Sequence, residues 1–475
     1  MVFSSLLFLF YFLPAVLLLY FLVPKKLKNA LLLVASLVFY AWGEPVYVVI
    51  MLAVIAVDYL HGRIIQRRKD TGDLRGAKIA LVSAVILNLA ALGFFKYSNF
   101  LIGNLNAIPG VDIPVLKLTL PIGISFYTFQ SLSYVIDVYR GDVKAQRNII
   151  SFGAYVALFP QLIAGPIVQY KTIDRQLTER TENFDQFGDG VRRFVTGLGK
   201  KVLLANTIGL IWTQISAMNP ADVPLLTAWI GILAFTFQIY FDFSGYSDMA
   251  IGLGQMFGFT FLENFNYPYM SKSITEFWRR WHISLSTWFR DYVYIPLGGN
   301  RRGLPIQIRN ILIVWMLTGV WHGASWNFVA WGLFFGVLLT AEKLFLLKWL
   351  EKAPSFVSHL YTMLMVILSW ALFAFDSLSA GFSYIGAMFG AHGAGLYDSR
   401  SLYLLLTNGL LLLVGAIGCT SLPKRAVARL ENGRLALSRP AISTIAAGVV
   451  LLAISTLSVA YLVDASYNPF LYFRF

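Results

Sequence analysis

Residues 311–336 read ILIVWMLTGVWHGASWNFVAWGLFFG, an apolar run of helix length with a single histidine, His322, near its middle. About 20 such residues cross the hydrocarbon core of a bilayer, so this stretch points to a membrane-spanning architecture. An ionisable side chain at that depth is costly and marks a functional site by default. Trp315, Trp321, Trp326 and Trp331 surround the histidine, while Gly319, Gly323 and Gly332 permit close approach of backbone or ligand.

The rest of the composition agrees with that reading. Of 475 residues, 57% are hydrophobic and only 13% charged, about half the charged share of an average soluble domain. The chain is therefore expected to be an all-α, polytopic membrane protein. Its opening, MVFSSLLFLFYFLPAVLLLYFLVPKK, is apolar over a helix length and lacks the flanks of a cleavable signal; it reads as a retained first span. One cysteine, Cys419, excludes an intramolecular disulfide framework and any multi-cysteine metal site. The formal charge of +14 does not indicate nucleic acid, because the Lys and Arg sit in short loops between apolar spans, where membrane orientation places them.

Those loops give a topology. Lys25, Lys26 and Lys28 follow the first span, and Arg63, Arg67, Arg68, Lys69, Arg75 and Lys78 follow the next apolar region. If both loops are cytoplasmic, residues 30–60 are two helices turning outside at Gly43-Glu44-Pro45. Residues 152–168, FGAYVALFPQLIAGPIV, are interrupted by Pro160 and Gly165-Pro166 and are expected to form a broken or re-entrant segment, which a bilayer tolerates only where protein buries it or it lines a cavity. Residues 270–303 carry Lys272, Arg279, Arg280, Arg290, Arg301 and Arg302, the mark of a cytoplasmic-side interfacial segment. In it Trp278, Trp281, Leu285, Trp288 and Tyr292 repeat at three and four, which predicts one amphipathic helix with His282 on its apolar side. Glu276, four residues before Arg280, is expected to pair with it. A basic loop over residues 424–439 precedes the last span, and the sequence ends in NPFLYFRF with both termini outside. Between ten and thirteen spans are expected, in one membrane domain over residues 1–475 whose motif-bearing core is 118–336.

Several chemistries lack their residues. The chain has no G-x-S-x-G nucleophile elbow, no G-x-x-x-x-G-K-[ST] phosphate loop and no H-E-x-x-H zinc helix. His61, His282, His322, His359 and His392 show no metal-ligand spacing, so no metal is expected. A neutral imidazole at His322 can act as general base for acyl transfer from a thioester; the plainer alternative is a histidine that only packs between helices. His282 is either a second site group or an interfacial ring. Asp242 and Asp248, in YFDFSGYSDMAIG, pair with basic residues, orient a polar ligand or close a buried helix-end network. Arg279 and Arg280 attract an anionic cytosolic cofactor or snorkel to headgroup phosphates.

EFWRRWHISLSTWFRDYVYIPLGGNRRG at 276–303 and GVWHGASWNFVAWG at 319–332 resemble the membrane-bound O-acyltransferase (MBOAT) family, in its bacterial alginate O-acetyltransferase (AlgI-like) branch. The likeness extends through LLLVASLVFYAWGEP, LPIGISFYTFQSLSYVIDVYRGD, FPQLIAGPIVQ and YFDFSGYSDMAIGLG, nearly the whole chain. The resemblance implies the MBOAT fold, helices around a central funnel or tunnel, with His322 as the principal catalytic residue and His282 as the second site residue near the cytoplasmic mouth. It implies acetyl-CoA from the cytosol as donor, a place in the bacterial inner membrane, and an extracytoplasmic partner of the SGNH serine-hydrolase type that acetylates a polysaccharide. The polymer is alginate or another exopolysaccharide, with peptidoglycan or teichoic acid as alternatives. The competing class is a transporter or flippase, whose usual trace is a pair of matching halves; none is found.

Overall fold

Helices make up every long regular element among the described residues of the computed structural model, which are 1–431, 440–464, 467–469 and 471. In chain order the helices used below are α1 (Phe8–Leu22), α2 (Lys28–Ala41), α3 (Val48–Asp70), α4 (Leu74–Asn106), α5 (Ile124–Arg140), α6 (Ile149–Ala157), α7 (Phe184–Ser216), α8 (Leu225–Met256), α9 (Ile274–Arg280), α10 (Ile283–Phe289), α11 (Leu304–His322), α12 (Trp326–Lys352), α13 (Ser355–Ala374), α14 (Ser399–Gly418) and α15 (Thr444–Asp464). Nine of these, α3, α4, α7, α8 and α11 to α15, are long and apolar enough to cross a membrane. The shorter α1 is also apolar. Of the basic loop over 424–439, the part beyond residue 431 lies outside the described residues, as does NPFLYFRF apart from Asn468, Pro469 and Leu471.

The chain forms two compact units. One comprises Met1–Phe194 with Met249–Leu262, the other Val195–Asp248 with Glu263–Phe475.

In the first unit, α2 and α3 flank the turn expected at Gly43-Glu44-Pro45. The segment with Pro160 and Gly165-Pro166 is broken as its sequence predicts. After α6 the chain makes only a short helical turn, Phe159–Leu162. Protein groups take up the freed backbone atoms. Phe159 N–H donates to Ser36 Oγ at 3.0 Å, and Gln161 Nε2 donates to the Tyr155 carbonyl at 2.6 Å. A carboxylate on α3, Asp58, is fully buried and accepts both Asn88 Nδ2, at 2.8 and 3.0 Å, and the Ser131 hydroxyl. These bonds tie α3 to α4 and α5, which an apolar contact alone would leave free to slide.

The second unit corrects two sequence expectations. The run over 311–336 is two helices, because α11 ends at His322 and Gly323 is extended (φ −172°, ψ 158°). α11 and α12 fold back on one another so closely that a Cβ on Gly319 would lie 2.3 Å from the Phe328 carbonyl oxygen, and one on Gly332 2.3 Å from that of Trp315. The aromatic repeat at 278–292 is likewise not one helix. Asn266 N–H donates to the Arg280 carbonyl at 2.9 Å and Ile283 N–H to the Asn264 carbonyl at 3.0 Å. These bonds satisfy groups that a continuing helix would pair internally, so the chain breaks into α9 and α10 with His282 at φ 44° between them. Trp278, Trp281, Leu285, Trp288 and Tyr292 are all buried and do not form a face open to headgroups. Glu276 pairs with Arg280 at 2.7 Å, as its spacing predicts.

Candidate active site

His322 is the last residue of α11, and the break that follows decides where its ring goes. Gly323 admits the Phe328 ring so closely that a Cβ there would sit 2.2 Å from Phe328 Cδ2. Phe328 packs on Phe373 with ring centroids 5.1 Å apart, and Phe373 in turn meets the His322 ring at 5.4 Å. Trp321 at 4.9 Å and Trp331 at 5.0 Å complete an edge-on aromatic enclosure around the imidazole. A ring held on three sides keeps one orientation, as a positioned proton acceptor requires.

The imidazole opens on a cavity of about 20 Å³ lined also by Ile239, Asp242 and Phe243 of α8, Trp281, Trp331, Trp370, Phe373 and Leu471. That is space for about one water molecule. Two lining groups can take or hold a proton, His322 and Asp242. Asp242 is the aspartate that the sequence left between a ligand group and a buried network. It pairs with Lys201 of α7 at 2.6 Å, and its other oxygen accepts the Leu471 N–H at 3.0 Å.

His282 does not line this cavity. Its ring is 1% exposed and packs edge-on against Phe243 at 4.6 Å and against Trp321 at 6.2 Å. His282 Nδ1 lies 3.2 Å from Asn264 Oδ1, which also accepts from Ser284 N–H at 3.2 Å and Ser284 Oγ at 2.9 Å. That oxygen only accepts, so Nδ1 carries the ring proton. Burial pushes the His282 imidazole down to about 3, which keeps it neutral at ordinary pH. The structure thus brings both sequence-selected histidines into edge-on contact with Trp321.

A second cavity, of about 250 Å³, lies between α9, α10 and α11. Trp278, Trp315, Ile311 and Thr318 give it an apolar body, with Arg279 and Arg290 among its lining residues. The Trp278 ring meets the Trp331 ring at 5.8 Å, and Trp331 lines the histidine cavity, so one pair of indoles stands between the two spaces. Arg279 is exposed, whereas Arg280 is occupied by Glu276 and Arg290 pairs with Asp291 at 2.8 Å. No group of three or more His, Cys, Asp or Glu residues able to hold a metal occurs among the described residues.

Sequence reasoning missed Lys201, Trp370, Phe373 and Leu471. A lysine inside an apolar helix was the available signal for Lys201; the others carry none, because aromatic and leucine residues are common throughout a membrane chain.

The model of the membrane-bound O-acyltransferase family matches residues 143–384, which include both histidines and the whole of α8 to α12. Over its full length the chain is 42% identical to the full length of the probable alginate O-acetylase AlgI of Azotobacter vinelandii. This chain belongs to the membrane-bound O-acyltransferase family. It is 46% identical to the probable alginate O-acetylase AlgI of Pseudomonas aeruginosa over 82% of this chain and 75% of that one. It is 33% identical to the peptidoglycan O-acetyltransferase of Helicobacter pylori over 83% and 81%. An all-helical, multi-pass inner-membrane O-acyltransferase is the activity class that family, relatives and spans establish.

Proposed function

We propose that this acyltransferase moves an acetyl group from cytosolic acetyl-CoA across the membrane for O-acetylation of an extracytoplasmic polysaccharide, with His322 as general base. The observation that carries the reading is the His322 ring itself: buried in an apolar span, fixed by three aromatic rings and open to a small enclosed cavity. In the proposed step the imidazole accepts the proton of an acceptor hydroxyl as that oxygen attacks the thioester carbonyl carbon. The C–S bond then breaks, and the departing thiolate takes the proton back from the imidazolium. The products are an acetyl ester and free coenzyme A. General-base assistance of this kind is worth ~10²–10⁴-fold in rate.

The second cavity supports a donor approach from the basic side. Its arginines suit the phosphates of coenzyme A, and its apolar depth ends at the Trp278–Trp331 pair beside His322. His282 serves as the second site residue from behind, through Phe243 and Trp321. An extracytoplasmic SGNH-type acetyltransferase is the proposed partner, and it hands the acetyl group to a sugar hydroxyl. Alginate or another exopolysaccharide is the proposed polymer, in keeping with the greater likeness to alginate O-acetylases than to the peptidoglycan enzyme. A flippase reading is disfavoured, because the family and the relatives that the chain matches are acyltransferases. The test is polymer acetylation in cells carrying His322→Ala at normal membrane abundance. Acetylation should be abolished; its retention would remove His322 from the reaction.

A further inference from the structure

Lys201 and Asp242 form an ion pair that the transfer chemistry above does not use. They are 2% and 3% exposed. Burying two charges is expensive, and an apolar pair of similar volume often serves stability as well or better, so the pair calls for another role. Each member spends a further hydrogen bond on the same length of main chain. Asp242 Oδ2 accepts the Leu471 N–H at 3.0 Å, and Lys201 Nζ donates to the Pro469 carbonyl. Farther along α7, Asn206 Nδ2 donates to Asn468 Oδ1 at 3.1 Å, and the Thr213 hydroxyl lies 2.9 Å from that of Tyr467. Tyr467, Asn468 and Pro469 are thus laid along α7 by one side chain after another, Asp242 of α8 holds Leu471, and Leu471 lines the histidine cavity.

We propose that Lys201 and Asp242 are positioning residues that clamp this segment as a wall of the His322 cavity and keep water from the acetyl group. The consequence for chemistry rests on the transfer reading above; the clamp rests on the geometry alone. A general base that activates a hydroxyl activates water equally well if water reaches the thioester, so a transferase needs its reacting carbon sealed. Without the clamp the protein should spend donor by hydrolysis.

Two measurements on the full-length, detergent-purified protein test this. In a Cys419→Ala background, Leu471→Cys should react slowly with N-ethylmaleimide. Adding Lys201→Met and Asp242→Leu together removes both anchors without leaving a buried lone charge, and should speed labelling about 10²-fold or more, the loss expected for two hydrogen bonds to charged groups. Without the Leu471 change, the same double replacement should raise the ratio of acceptor-free coenzyme A release to acetyl transfer by about tenfold, and His322→Ala should then suppress both. Asp242→Asn, which keeps side-chain size, should fall between and decides the matter if the double variant does not insert. Unchanged labelling overturns the clamp, and faster labelling with an unchanged ratio overturns its water-excluding role. If the unsubstituted protein uses no acetyl-CoA, the transfer reading fails while the labelling comparison still decides the clamp.

Discussion

The indole of Trp331 meets the imidazole of His322 edge to face, at 5.0 Å between centroids and 84° between planes, and also meets Trp278 at 5.8 Å. One buried ring therefore orients the proposed base and stands between the two cavities. Trp331→Ala should destabilise the protein by ~3–5 kcal/mol, as large core truncations do. Trp331→Phe, which keeps a ring edge, should retain more of both stability and turnover. Unfolding midpoints and steady-state rates on the two variants check this; equal turnover in both would show that the ring does not orient His322.

Gly323 and Gly319 should fail differently. A methyl group at Gly323 meets the Phe328 ring, and that displacement passes through Phe373 to His322. Gly323→Ala should therefore lower kcat with little change in KM for acetyl-CoA. At Gly319 the methyl group meets backbone, the Phe328 carbonyl, which cannot rotate away. Gly319→Ala should separate α11 from α12 and cost ~1–3 kcal/mol or more in stability, measured as a lower unfolding midpoint in detergent.

His282 makes the folded state sensitive to acid. Burial lowers its pKa to about 3, against ~6.5 for a free imidazole. Below pH ~6.5 the unfolded chain binds a proton that the folded chain refuses, so this contribution to stability is complete above pH ~6.5 and is lost as pH falls toward 3. His282→Asn tolerates the left-handed backbone at φ 44° and keeps a donor for Asn264. Between pH 7 and 4.5 its unfolding midpoint should fall less steeply than that of the unsubstituted protein; parallel curves would count against a buried neutral His282.

The neighbouring arginines should separate by occupancy. Arg279 is exposed and lines the larger cavity, whereas Arg280 is held by Glu276. Arg279→Gln should raise KM for acetyl-CoA several-fold at low salt, with the difference shrinking as salt screens the phosphates. Arg280→Gln should change KM little. Initial-rate measurements at two ionic strengths distinguish them, and equal effects would place the donor phosphates elsewhere.

The parts of this protein that were legible in the sequence are those governed by local patterns. Apolar length gave the spans, Gly43-Glu44-Pro45 gave the turn between α2 and α3, and Pro160 with Gly165-Pro166 gave the break after α6. His322 stood out because an imidazole inside an apolar run is rare enough to need a reason. What escaped was decided by distant partners. The 3–4 spacing from Trp278 to Tyr292 is good helical periodicity, yet Asn264 and Asn266 take the backbone bonds that would have continued the helix. Periodicity also could not show that His322 closes α11, since the break at Gly323 depends on how Phe328 packs. Lys201 finds Asp242 across 41 positions of sequence, and Leu471 reaches the cavity from 149 positions beyond His322; no local rule pairs either.

The most direct test is the rate of radiolabelled acetyl transfer from acetyl-CoA to acceptor by purified protein with the proposed extracytoplasmic partner, unsubstituted against His322→Ala, with donor binding measured on both. His322→Ala should bind acetyl-CoA normally and transfer at least ~10²-fold more slowly, the smallest loss expected when a general base is removed. Transfer within a few-fold of the unsubstituted rate would contradict the assignment of His322 as the base.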